Sequence, residues 1–475
     1  MRRLLAALPV VLLLLAGCAA TEPPPPPPPP PAPVTPTVET TAGEWAGRIG
    51  IPGSAVEIGI RLTAENGGLR GEIDIPAQAI EAMPLSDVLL EGREFSFRLP
   101  EVGGDAWFRG TFEADGKSIP GAFTQFGQSY PLVLRPGPPA GRPQEPKPPF
   151  PYRSEDVTYP GAGVDLAGTL TTPEGPGPFT AVVLATGSGP QDRDQEIFGH
   201  KPFLLLADLL TRAGYAVLRV DDRGVGGSGG RLHEANYDQL TGDLVAGVEF
   251  LRGRPEINRD RIGVLGHSEG GYLAPLVAQR TPLAFVIMLA GPATTGEEVL
   301  AAQNQLLLES IGAPPELVQN QVAYVHALVS LLREEDYDRA RALAVRQLVS
   351  QATAMPPEEQ PSPEQIEAQV DATVNPYYRS WAVHDPAPAL QALRVPVLAV
   401  FGAADLQVSA GQNEPLMRSH LAGNPDSTVR TLPGLNHMMQ PANNGGPDEY
   451  GTIETTIDPS ALELVRSWIT QRFPR

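Results

Sequence analysis

One cysteine in 475 residues leaves no partner for an intrachain disulfide and no thiolate cluster for a metal. Positive charge is scarce too. Lys and Arg total 35 against 55 Asp and Glu, a formal net charge of −20. That balance excludes nucleic acid as an expected partner, since binding phosphates calls for a basic face. Histidine is limited to seven residues, so each can be weighed as a general base. The apolar run from Leu4 to Ala16 falls short of the ~20 residues that span a bilayer. What is plentiful is proline (53) and glycine (49), the residues of linkers and turns. With 41% hydrophobic and 19% charged residues, most of the chain should fold, and its length suggests two units.

The one cysteine has a telling place. Met1-Arg2-Arg3 is a basic start, Leu4 to Ala16 is apolar, and Leu15-Ala16-Gly17-Cys18 follows. This resembles a bacterial lipobox, which implies a signal peptide over 1–17 and Cys18 as the lipidated first residue of the mature protein. An ordinary secretory signal is the alternative. Acyl chains on Cys18 would hold the protein at a membrane, each buried CH₂ contributing about 0.8 kcal/mol. Ala19 in place of an Asp favours the outer membrane in a cell that has one. The expected location is therefore the cell envelope. Residues 18–40 contain the run Pro23 to Pro31, a semi-rigid polyproline II spacer.

Residues 41–135 alternate with period two. Examples are Val56-Glu57-Ile58-Gly59-Ile60 and Phe95-Ser96-Phe97-Arg98-Leu99, with turns at Asn66-Gly67-Gly68 and Asp115-Gly116. The pattern predicts a small all-β antiparallel domain for spacing, dimerisation or substrate presentation, or a ligand-binding barrel. A second Pro-rich linker covers 136–150. From 151 to 475 strands alternate with helices, which predicts an α/β unit with a doubly wound, mostly parallel sheet. About 294–392 has no strand pattern and reads as four helices. An insertion of that size ahead of a late strand would form a cap at the carboxyl edge of the sheet, or decorate its side.

The chemistry gathers at Ile262 to Gly271. An apolar strand runs into Gly266-His267-Ser268-Glu269-Gly270 and then into a helix-like pattern, the setting that G-x-S-x-G requires. A serine hydroxyl needs a base, and the base needs an orienting acid. Of the histidines, His437 alone follows a strand into a loop near the C-terminus, while His267 lies inside the turn itself. Asp405 stands just past the buried strand Val397 to Phe401. Asp222 is a rival acid, read in preference as a structural partner of Arg223. The order Ser268, Asp405, His437 is that of α/β-hydrolases.

With these residues in place the chain resembles the α/β-hydrolase superfamily, in particular bacterial serine esterases related to the serine-aminopeptidase-like group. The resemblance covers about 150–475. It rests on Gly187-Ser188-Gly189-Pro190-Gln191-Asp192-Arg193-Asp194, Asp222-Arg223-Gly224-Val225-Gly226-Gly227-Ser228, the Ser268 turn, Phe401 to Val408, and Asn436-His437. It implies a Ser268–Asp405–His437 triad acting through an acyl-enzyme, with oxyanion donors in the backbone N–H groups of Ser188 and Glu269. The implied substrate is a small-molecule carboxylic ester, with no metal and no cofactor. Thr186 stands where many relatives have His, which leaves the oxyanion loop open to a different arrangement. Asp192, Arg193 and Asp194 are expected to brace that loop by salt bridges. A peptidase or thioesterase with the same triad remains an alternative, as does a non-catalytic envelope module that only binds. Gly224 to Gly229 also fits G-x-G-x-x-G, but loop rather than helix follows, which argues against a dinucleotide. Natural substrate and oligomeric state have no readable signal.

Overall fold

The computed structural model describes residues 34–51, 54–78, 80–100, 102–138, 142–353 and 360–474. The signal segment, Cys18 and the Pro23–Pro31 run lie outside the described residues. No helix among the described residues is long and apolar enough to cross a membrane.

Among the described residues, the period-two region forms nine strands: β1 (Gly43–Ile51), β2 (Ser54–Glu65), β3 (Gly68–Ile75), β4 (Ile80–Pro84), β5 (Ser86–Glu91), β6 (Glu94–Leu99), β7 (Ala106–Thr111), β8 (Ile119–Gln125) and β9 (Gln128–Pro136). They lie in the order β4-β3-β2-β1-β9-β8-β7-β6-β5, with every recorded pairing antiparallel. Alternation turns one side chain in two inward. Trp45, Phe95, Phe97, Phe108 and Phe112 meet there, with Phe97 stacked on Phe108 at 5.3 Å. The inward positions are thus filled by a packed aromatic core.

The following segment, which composition marks as a linker, is docked onto the α/β unit. Arg142 donates to the carbonyls of Phe198 (2.7 Å), Gly451 (2.6 Å) and Ile453 (3.0 Å). Gln144 donates to Ile457 O and accepts from the Thr456 and Ile457 N–H groups. Arg48 of β1 pairs with Glu454 at 2.8 Å. These bonds hold a proline-rich stretch that would otherwise behave as a spacer.

Among its described residues the α/β unit has eight strands: β10 (Tyr152–Pro160), β11 (Asp165–Pro173), β12 (Phe179–Ala185), β13 (Ala216–Val220), β14 (Ile257–His267), β15 (Val286–Leu289), β16 (Val397–Gly402) and β17 (Ser427–Leu432). Their order is β10-β11-β13-β12-β14-β15-β16-β17. The pairings β10–β11 and β11–β13 are antiparallel, and the other five are parallel. Both faces are buried, so the central strands read as unbroken apolar runs. Ala181 and Val183 of β12 point to one face, with residues of the helices Tyr237–Arg252 and Gly270–Arg280. Val182 and Leu184 point to the other, with residues of Pro202–Ala213 and Pro459–Arg472. The last helix begins on Asp458, whose side chain accepts from the Ser460 N–H, with Pro459 in its first turn.

Among the described residues, six helices lie between β15 and β16: Gly296–Ser310, Pro315–Arg333, Tyr337–Ala352, Pro363–Thr373, Pro376–Ala382 and Ala387–Ala392. The sequence pattern gave four of them and missed the two shortest. Thr295, Asp336, Ser362 and Asn375 cap four of these helices through their side chains. The insertion has its own small core of Leu328, Leu332, Ala340, Ala344, Val370 and Val374.

Candidate functional site

Four strands of the run β12-β14-β15-β16-β17, all but β15, send their carboxyl ends to one place, the region of an α/β sheet where ligands bind. β12 delivers Gly187 to Gly189, β14 delivers Ser268, β16 delivers Asp405, and β17 delivers His437.

Ser268 sits on a sharp turn with φ +52°. A non-glycine residue held there costs of order 1–3 kcal/mol, so the surroundings must impose it. The Ser268 N–H is tied to Leu289 O (2.9 Å), and its carbonyl accepts from the Gly271 N–H (2.8 Å), which opens the helix Gly270–Arg280. Asp405 and His437 come together as a buried pair, His437 Nδ1 lying 2.8 Å from Asp405 Oδ2. The other carboxylate oxygen, Oδ1, accepts from the N–H groups of Gln407 (2.7 Å) and Val408 (2.8 Å). With the carboxylate fixed in this way, Nδ1 carries the hydrogen and Nε2 is left as the acceptor. His437 adjoins the Ser268 turn: its carbonyl accepts from His267 Nε2 at 3.0 Å, and the two rings are 4.9 Å apart.

The loop after β12 passes close to the serine, since a Cβ on Gly187 would lie 3.6 Å from Ser268 Cβ. Its N–H groups are allotted in turn. Gly187 N–H donates to Gln195 Oε1 (3.0 Å), and Gly189 N–H donates to the Tyr377 hydroxyl (2.7 Å). Those bonds pin both flanks of Ser188. Below the loop, Arg193 forks onto Asp221, Asp194 pairs with Arg219, and Asp192 accepts from the Glu196 N–H. Arg193 and Asp194 therefore brace the loop by salt bridges, whereas Asp192 acts through a backbone N–H alone.

One expectation about a neighbouring residue changes. Asp222 does not partner Arg223, which forks onto Asp243 instead. Asp222 accepts from Thr186 Oγ1 (2.9 Å) and from the Gln191 N–H (2.9 Å), so it shapes the loop after β12. Thr186, the departure from the family pattern, has a partner of its own here. The glycine run 224–229 wraps Asp221, which accepts from the Gly227 N–H and from Arg193. A structural turn explains it.

Tyr377 belongs to no motif in the sequence. It sits on the short helix Pro376–Ala382 of the insertion, and its hydroxyl donates to Glu269 Oε2 at 2.6 Å while receiving the Gly189 N–H. Glu269 and Asp222 share a small cavity of about 60 Å³ with Thr186 and Tyr377. Burial pushes the Glu269 carboxyl up to about 7. Burial, aided by the charge on Glu269, pushes Asp222 up to about 8.

That shift predicts a pH-dependent stability. The Glu269 carboxyl titrates at its ordinary 4.5 when unfolded and at about 7 when folded. Between those values the folded chain keeps a proton that the unfolded chain has lost, so the parent loses stability as pH rises from 4.5 to about 7. Glu269→Gln keeps an acceptor for Tyr377 and removes the titration. Its advantage over the parent should grow across that window to the order of 3 kcal/mol and stay flat above it. Denaturant unfolding at pH 5, 6, 7 and 8 reads this, and an offset that does not vary with pH would refute it.

Comparison with known proteins adds an independent line. Residues 201–338 match the family model described as serine aminopeptidase, S33. The chain is 29% identical over 321 residues to the esterase EstD of Thermotoga maritima, a match covering 67% of this chain and 68% of that one. It is 34% identical over 121 residues to the dipeptidyl peptidase family member 6 of Caenorhabditis elegans, covering 24% of this chain and 16% of the relative. Among solved structures, an esterase of Pyrococcus furiosus aligns with a TM-score of 0.42 and 16% identity, over 70% of this chain and 96% of that one. The family match, the Thermotoga relative and the sheet with its strand-to-helix turn at Ser268 together support an α/β-hydrolase.

Proposed function

We propose that this protein is a serine hydrolase that cleaves carboxylic esters through an acyl-enzyme. The observation that carries the reading is the buried 2.8 Å pair of His437 and Asp405 beside the strained turn that holds Ser268. Ser268 attacks the ester carbonyl. His437 Nε2 takes its proton and returns it to the leaving alcohol, then repeats the exchange with water. Asp405 holds the imidazole in the tautomer this needs and offsets the positive charge that develops. The oxyanion meets the N–H of Ser188, whose two neighbours are anchored by Gln195 and Tyr377, and the N–H of Glu269 at the start of a helix. The helical insertion acts as a cap, with Tyr377 as its contact to the oxyanion loop.

Fluorophosphonate labelling tests the reading. The purified protein should label stoichiometrically, and Ser268→Ala should not label. Absence of labelling in the parent would leave a binding module as the better account. The serine aminopeptidase family match favours a second reading, a peptidase with the same residues. Small p-nitrophenyl esters should be cleaved faster than aminoacyl anilides, and the reverse order would select the peptidase.

The lipobox-like segment supports an envelope lipoprotein anchored through Cys18. Cys18→Ala should move the protein from the membrane fraction to the soluble one. Equal partitioning of both forms would count against the anchor.

A further inference from the structure

Gln195 and His267 are buried polar side chains beside the site that take no part in the chemical steps. Their hydrogen bonds form one line. His267 Nε2 lies 3.0 Å from His437 O, and a carbonyl can only accept, so Nε2 carries the hydrogen. Nδ1 of the neutral ring is then an acceptor, and Gln195 Nε2 donates to it at 2.9 Å. This turns the other end of the Gln195 amide, Oε1, to the Gly187 N–H at 3.0 Å. Each donor and acceptor in the line is thereby fixed by the next. Burial and the neighbouring His437 push the His267 imidazole down to about 3, so the ring stays neutral and the line keeps its direction.

The geometry points to Gln195 and His267 as positioning residues that set the oxyanion loop and the base loop in register with each other. One end of the line holds Gly187, next to the Ser188 donor and close to Ser268. The other end holds the backbone of His437. Between them the line ties together segments at 187, 195, 267 and 437 with three hydrogen bonds. An oxyanion donor acts only if it meets the oxygen at about 2.7–3.1 Å. A loop that drifts from the base by a fraction of an ångström therefore weakens the transition state while substrate still binds.

The inference rests on the acyl-enzyme reading, and the experiment separates the two. Hydrolysis of p-nitrophenyl acetate is measured for the parent, Gln195→Met, His267→Phe, the double variant and Gln195→Glu. Each kcat is normalised to the fraction of protein that a fluorophosphonate labels at saturation, which removes unfolded protein from the comparison. Each single apolar variant should lose about 10- to 100-fold in kcat with KM held within about threefold. The double variant should lose about as much as the worse single one, because the two act as a unit. Gln195→Glu can still accept from the Gly187 N–H, but an ionised carboxylate has no hydrogen to give His267 Nδ1, so the line is broken and the loss should be about that of Gln195→Met. A Gln195→Met kcat within about twofold of the parent would overturn the inference. So would losses that multiply in the double variant, or a glutamate that matches the parent. A parent that neither labels nor hydrolyses would sink the acyl-enzyme reading itself.

Discussion

Ser268→Ala should lower kcat for ester hydrolysis by about 10⁶-fold, and Asp405→Asn by about 10⁴-fold, with little change in KM for either. The two losses differ because they remove different things. Without the Ser268 hydroxyl no acyl-enzyme can form, and what remains is catalysis by oxyanion donors and binding alone. Asp405→Asn leaves the serine and the shape of the site but changes what His437 Nδ1 meets. Asp405 Oδ1 takes two backbone N–H groups, so in the variant the amide oxygen is held at that position and the NH₂ faces the ring. Nδ1 must then accept, the hydrogen moves to Nε2, and the imidazole can no longer take the serine proton. Steady-state kinetics from pH 6 to 10 read both effects. An Asp405→Asn kcat within about tenfold of the parent across that range would contradict the assignment of Asp405.

The largest effect on folding should come from Gly266→Ala. A Cβ at Gly266 would overlap the Gly270 carbonyl and crowd the Gly271 nitrogen, all backbone atoms of the turn and its helix. A flexible side chain could move aside, but these atoms are fixed by the same bonds that hold Ser268 in its strained conformation. The change is expected to destabilise by about 4 kcal/mol or more, at the far end of what single substitutions do. Gly423→Ala is the natural control, since a Cβ there meets nothing within 4 Å. It should fall within about 0.5 kcal/mol of the parent. Denaturant midpoints for the three proteins decide the matter, and a Gly266→Ala midpoint close to that of Gly423→Ala would show that the turn has slack.

How far the sequence reaches can be judged on particular elements. Ile262 to Leu265 and Val397 to Phe401 are unbroken apolar runs because their strands are buried on both faces, and such runs stand out. The strand Ile119–Gln125 carries little signal because Pro120 and Gly121 break its alternation. The helix Ala410–His420 was missed for a similar reason, with Pro415 inside it and few apolar residues to mark a face. The helices Pro376–Ala382 and Ala387–Ala392 are too short to show a period. Asp405 and His437 were legible as candidates because each follows a strand into a loop. That they meet at 2.8 Å is a fact of the folded chain.

By itself the sequence determined the alternation of strands and helices, the strand-to-helix turn at Ser268, and the order in which serine, acid and base follow one another. Each of these is local: a run, a turn residue or a residue at a strand end. The tertiary structure alone decided who holds the site together. Gln195 meets His267 across 72 residues, Tyr377 meets Glu269 across 108, and Arg142 meets Ile453 across 311. A hydrogen bond over such a separation leaves no period in the chain, because a glutamine or tyrosine that fixes a loop is spelled the same way as one that faces water. The reassignment of Asp222 from Arg223 to Thr186 and Gln191 has the same origin. Neighbours in sequence need not be neighbours in the fold, and a buried carboxylate takes its partners from whichever strands and loops packing has brought within 3 Å.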